Sequence, residues 1–150
     1  MFEFYDPGRL IDQDLELVLF ERYPGDPAIK YVPTYKFKMI SVGQNEEMGR
    51  IDLRIGETTA LVMYGGHIGY GVHPPYRGHH YAARACRLLL PLARRHGLKA
   101  VWITCNPDNI ASRRTCELVG AELVEIVDLP ETHEMYLRGE RQKCRYRIDL

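Results

Sequence analysis

Residues 69–82 read Gly69-Tyr70-Gly71-Val72-His73-Pro74-Pro75-Tyr76-Arg77-Gly78-His79-His80-Tyr81-Ala82. The stretch begins as a strand, glycine-weakened, and Pro74-Pro75 must end it because proline cannot donate to a ladder. From Tyr81 to His96, small and apolar residues recur at helical spacing through Ala82, Ala85, Cys86, Leu89 and Ala93, with arginines between them. Gly97 supplies the stop, and Pro91 predicts a bend or a break near the last turn. A strand running into a glycine-containing turn that opens a helix leaves the first helical amides without intrahelical partners. Those amides, the helix dipole, Arg77 and Arg84 all favour an anion, most naturally a diphosphate. The alternative is an ordinary strand-to-helix connection with a solvated basic face.

Upstream, Leu15–Phe20 and Tyr35–Val42 read as strands, separated by the breakers of Tyr23-Pro24-Gly25-Asp26-Pro27. Met48–Ile55, Ala60–Tyr64 and His67–Val72 follow as further strands, antiparallel neighbours by their short connections. Downstream, Lys99–Cys105 has the β-branched and aromatic content of a buried strand. Asn106-Pro107-Asp108-Asn109 is a turn suited to cap a helix that runs to Gly120, and Glu122–Val127 and Arg145–Leu150 read as the last strands. The order, antiparallel strands and then strand–helix–strand–helix–strand, predicts an α+β fold with a central mixed, mostly antiparallel sheet of six to seven strands and two main helices.

A chain of 150 residues is one domain's worth, and 1–150 is read as a single domain. The 20 basic and 20 acidic side chains cancel, which argues against a general nucleic-acid binder. Their distribution is uneven: Thr58–Pro107 holds no acid but Arg77, Arg84, Arg87, Arg94, Arg95 and Lys99, so the middle third is a local cationic field. No apolar run reaches the ~18 residues of a membrane span, and the first residues resemble no secretory signal, so a cytoplasmic protein is expected. Cys86, Cys105, Cys116 and Cys144 lie far apart and read as buried, reduced thiols. His73, His79 and His80 lack a carboxylate partner and a shared direction, so no metal is expected.

Arg77-Gly78-His79-His80-Tyr81-Ala82 resembles the pyrophosphate loop of the GNAT superfamily of acyl-CoA N-acyltransferases, Gln/Arg-x-x-Gly-x-Gly/Ala, with His80 where the central glycine stands. Val72-His73-Pro74 and Tyr76-Arg77-Gly78 match the family's flanks, and Trp102–Arg114, with Asn109-Ile110-Ala111-Ser112, resembles its second strand and Asn-x-x-Ser helix. The resemblance covers residues 48–150 and is nearest to the branch that modifies ribosomal-protein N-termini. It implies acetyl-CoA as co-substrate, held by Val72, Arg77, Gly78, His79, His80, Tyr81, Ala82, Asn109 and Ser112. For Asn109, a simple helix cap is the equal alternative. The dozen residues between the first two strands leave little room for the family's usual helices, so a reduced N-terminal helical region and an open acceptor side are expected.

The resemblance further implies direct transfer of the acetyl group to a primary amine, on a small molecule or a protein N-terminus. The family's glutamate base and tyrosine acid are missing. His67 is the nearest substitute for the base, and Cys116 stands at the tyrosine position. Each has a plain structural alternative, a strand histidine and a core thiol. Asp12, Asp14, Glu16 and Glu21 hint at a cationic acceptor. A homodimer and a non-catalytic acyl-CoA sensor of the same fold stay open. A dinucleotide enzyme does not fit, because Gly66-x-x-Gly69-x-Gly71 reverses the expected fingerprint.

Overall fold

The computed structural model describes residues 2–150. Five antiparallel strands lie in sequence order: β1 (Leu10–Asp12), β2 (Leu15–Tyr23), β3 (Thr34–Ser41), β4 (Glu47–Arg54) and β5 (Ile68–Val72). A second antiparallel sheet has the order β6 (Ala100–Cys105), β8 (Gln142–Asp149), β7 (Glu122–Asp128). Helices α1 (Tyr81–Arg95) and α2 (Ile110–Val119) connect β5 to β6 and β6 to β7, and the short α3 (Glu134–Leu137) precedes β8. The expected single sheet is therefore two sheets, with eight strands among the described residues, because β5 and β6 form no continuous ladder. Between β2 and β3 only the 3-10 turn Pro27–Ile29 is present, as the short spacing predicts.

The core forms where β3 presents Tyr35, Phe37 and Met39, all fully buried, beside Ile51 and Leu53 of β4. Their period of two puts them on one face, and the small side of α1, with Ala85, Cys86, Leu89 and Ala93, packs into the same cluster. Pro91 neither ends nor splits α1. It stands on the exposed face, as does Arg87 one turn earlier, the residue whose carbonyl loses its amide partner.

Ala60–Tyr64 is not a strand. Leu61–Gly65 forms a π-helical turn, started by Thr58 Oγ1 on the Leu61 amide (3.2 Å) and closed by the Gly66 amide on the Leu61 carbonyl (2.6 Å). Only Leu61 of this turn is buried, too little apolar contact to hold a central strand. Gly66 then takes φ +78° and passes so close to β6 that a Cβ would lie 3.0 Å from the Trp102 carbonyl oxygen. No described helix is long and apolar enough to cross a membrane.

Candidate active site

Where the chain leaves the π-helical turn, His67 joins the two sheets. Its amide donates to the Trp102 carbonyl (2.7 Å), its Nδ1 accepts from the Trp102 amide (2.9 Å), and its Nε2 stands 3.0 Å from the Gly56 carbonyl. With Nδ1 accepting, the proton sits on Nε2. Beyond this junction β5 pairs only with β4, and β6 only with β8, so the strands part and leave the second edge of β5 unpaired. Two cavities occupy the parting.

The larger cavity, about 520 Å3, is a groove walled by Tyr70–Val72, the loop Tyr76–Gly78, the start of α1 and the outer side of α2. Val72, Arg77, Gly78, His80, Tyr81, Ala82, Asn109 and Ser112 line it together. His79 does not; its ring leans on Tyr81 at 5.5 Å. The loop is shaped by a 3-10 turn at Pro74–Tyr76, by Gly78 at φ +94°, and by Arg77 Nε donating to the Val72 carbonyl (3.0 Å). His80 sits at φ +61°, ψ +26°, the left-handed conformation a glycine adopts without cost, and no side chain caps the helix it opens. The first amides of α1 are thus left for a guest.

The cations around this groove differ from the sequence-based expectation. Arg84 is spent on β1 and the turn after it: Nε meets Asp12 Oδ2 at 2.8 Å, and Nη2 meets Asp14 Oδ1 at 2.7 Å. Tyr81 donates to the other Asp14 oxygen (2.5 Å). Hydrogen bonds from Tyr81 and then Arg84 hold the Asp14 carboxyl below its ordinary pKa. These acids therefore brace the loop and are not free for a cationic acceptor. Arg77 and Arg114 are the arginines on the groove wall.

The smaller cavity, about 250 Å3, lies against the same parting and includes Arg54, Gly69, Thr104, Asn106, Glu140 and Lys143. Tyr70, Asn109 and Ser112 line both spaces, which is where the cavities meet. The Tyr70 hydroxyl lies 2.6 Å from Ser112 Oγ, and burial above all pushes its pKa well above the ordinary phenol range. Asn109 Oδ1 accepts from the Ser112 amide (3.1 Å), so the cap exists, and the residue still faces the cavities. Glu140 is paired with Lys143 Nζ at 2.7 Å, and that hydrogen bond is the largest cause of its depressed pKa.

Neither candidate for proton transfer reaches these spaces. His67 is fully buried with both ring nitrogens occupied, and burial lowers its pKa; it is a tie between sheets, with no access for an amine. Cys116 is also fully buried and lines neither cavity. A hydrogen bond with Cys105 and then burial raise its pKa far above that of a free thiol, so it is a core thiol. Sequence reasoning gave no role to Tyr70, Arg54, Asn106, Glu140 or Lys143.

A sequence model described as an acetyltransferase (GNAT) domain matches residues 12–122. The chain belongs to the GNAT acetyltransferase family. No curated protein matches it. Among solved structures, a GNAT-family acetyltransferase from Bacillus anthracis superposes with a TM-score of 0.68 at 19% identity, covering 94% of this chain and 98% of that one. An acetyl transferase from Salmonella typhimurium that modifies the N-terminal serine of ribosomal protein L7/L12 gives 0.61 at 19% identity, over 82% of this chain and 66% of its own. A ribosomal L7/L12 α-N-protein acetyltransferase bound to coenzyme A gives 0.61 at 18%, over 82% and 64%. At these identities the likeness speaks for the GNAT fold.

Proposed function

We propose that this GNAT protein transfers the acetyl group of acetyl-CoA directly to a primary amine, the two substrates entering from opposite cavities. The observation that carries the reading is the meeting of a loop-lined groove and a polar cavity at Tyr70, Asn109 and Ser112, beside an unpaired strand edge. In the groove, the uncapped amides of α1, Gly78 and the guanidinium of Arg77 suit a diphosphate, and Arg114 adds charge on the opposite wall. The free edge of β5 offers backbone groups to a pantetheine amide chain, which ends by Tyr70.

In the transfer, the amine nitrogen bonds to the thioester carbon, the C–S bond breaks, and the electron pair leaves on sulfur. The surplus amine proton passes to solvent through the acceptor cavity. Tyr70, kept protonated by its burial, donates a hydrogen bond that stabilises the departing thiolate, and the thiolate takes its proton from solvent. Positioning supplies much of the rate, so no acetylated enzyme forms. Calorimetry with CoA, and thiol release from acetyl-CoA with a panel of amines, test the reading. Micromolar CoA binding with amine-dependent release is the expected result. Binding without turnover on any amine makes the protein an acyl-CoA sensor, and no binding rejects the groove assignment. Intact-mass measurement after mixing with acetyl-CoA alone should show no added acetyl group.

A further inference from the structure

The acceptor cavity contains two unmet chemical demands. Arg54 is the first. Its Nη1 donates to the Gly65 and Gly66 carbonyls (3.0 and 3.1 Å), and its Nη2 lies so close to Gly69 that a Cβ there would be 2.7 Å away. Burial is the largest influence on this guanidinium and opposes its charge; Asp52 on the same strand offsets it through space, but among the described residues no carboxylate comes within 4 Å. Two cations of β8 are matched: Lys143 by Glu140 at 2.7 Å, and Arg145 by Glu125 at 2.6 Å. A guanidinium taken from water without an anion is costly, and Arg54 lines the cavity.

Asn106 is the second. Its Oδ1 is buried and has no hydrogen-bond donor. It stands on the same wall as the Glu140 carboxylate. One end of the cavity's chemistry thus lacks an anion, and another lacks an N–H donor.

We infer that the acceptor is a free amino acid, its carboxylate received by the guanidinium of Arg54 and its amino group directed at Asn106 Oδ1 and Glu140, arriving as the ammonium and losing one proton to solvent before it attacks. A single zwitterion answers both demands, and Arg binds a carboxylate through two parallel hydrogen bonds. Size agrees: about 250 Å3 falls below the ~300–1,000 Å3 typical of drug-sized ligand pockets, which suits one amino acid better than an oligopeptide. The proposal rests on the acetyl-transfer reading and adds the class of acceptor.

The test is thiol release from acetyl-CoA with the twenty amino acids, each compared with its α-amide and its decarboxylated amine, and with short peptides. CoA binding is followed in parallel by calorimetry. At least one amino acid should be acetylated with kcat/KM tenfold or more above its amide and its decarboxylated counterpart. In Arg54→Gln that preference should collapse toward unity, and Arg54→Lys should restore part of it. The matched substrates on the unaltered protein decide the matter even where a variant fails to fold. Peptides or carboxylate-free amines used as well as amino acids would overturn the inference, as would silence of all twenty amino acids in a protein that binds CoA. Loss of CoA binding itself would remove the acetyl-transfer reading beneath it.

Discussion

His67 was the sequence's candidate base, and its surroundings give it another task. Because burial depresses its pKa, folding favours the neutral ring. An unfolded chain binds that proton near pH 6.5, so this contribution to stability is present above that pH and is lost as pH falls toward the folded pKa. His96, also depressed by burial, acts in the same sense. Melting temperature should therefore fall between pH 7.5 and pH 5, and His67→Gln should flatten that fall while lowering stability at neutral pH. His80 carries a different kind of strain. Relieving its left-handed backbone with His80→Gly should gain about 0.5–1 kcal/mol, the conformational cost less the entropy that glycine adds to the unfolded chain. Thermal melts check the gain, and calorimetry should find CoA binding retained. Tyr70→Phe should lower kcat by ten- to a hundredfold with CoA affinity intact, whereas Cys116→Ser should leave most of the turnover. The shape of the loop before α1 was readable in sequence because Arg77, Gly78 and the prolines act within a few residues of one another. The wall proposed for the acceptor was not, because Arg54, Asn106 and the Glu140–Lys143 pair come from three separate segments and meet only in the fold.

The same contrast holds for whole elements. Helix α2 announced itself through Asn109 at its start and Gly120 at its end, and both caps are present, with Gly120 at φ +92°. Asn109→Ala should cost about 1 kcal/mol of stability through the lost bond to the Ser112 amide, with CoA affinity unchanged after correction for the folded fraction. Loss of affinity beyond that correction would give the side chain a direct contact with the cofactor. Helix α1 shows where a local rule misleads. Proline predicts interruption, yet tertiary packing of the Ala85–Leu89–Ala93 face carries the helix through Pro91. Pro91→Ala should therefore stabilise by about 2 kcal/mol, the restored hydrogen bond less the entropy returned to the unfolded chain, as read by chemical denaturation. Ala60–Tyr64 failed for a different reason. A five-residue apolar run has no period long enough to separate a strand from a helical turn.

Across the molecule, the two sheets meet through few polar ties: the His67–Trp102 bonds, Thr104 Oγ1 on the Tyr64 carbonyl (2.6 Å), and Arg145 on the Val62 carbonyl (2.9 Å). A cofactor lodged between α1, β5 and α2 would bridge both halves, so CoA should raise the melting temperature. The gain follows mass action, about 2.7 kcal/mol when free ligand reaches a hundred times Kd. The unpaired edge of β5 has a cost that reaches beyond catalysis. Any bare row of strand amides and carbonyls is a template on which a neighbouring chain can nucleate aggregation. Here the row is only five residues long, broken by Gly69 and Gly71 and closed off by Pro74-Pro75. The residues that made β5 hard to read as a strand are thus the ones that keep the empty enzyme colloidally safe, and the cofactor-free protein is the form in which clumping should begin.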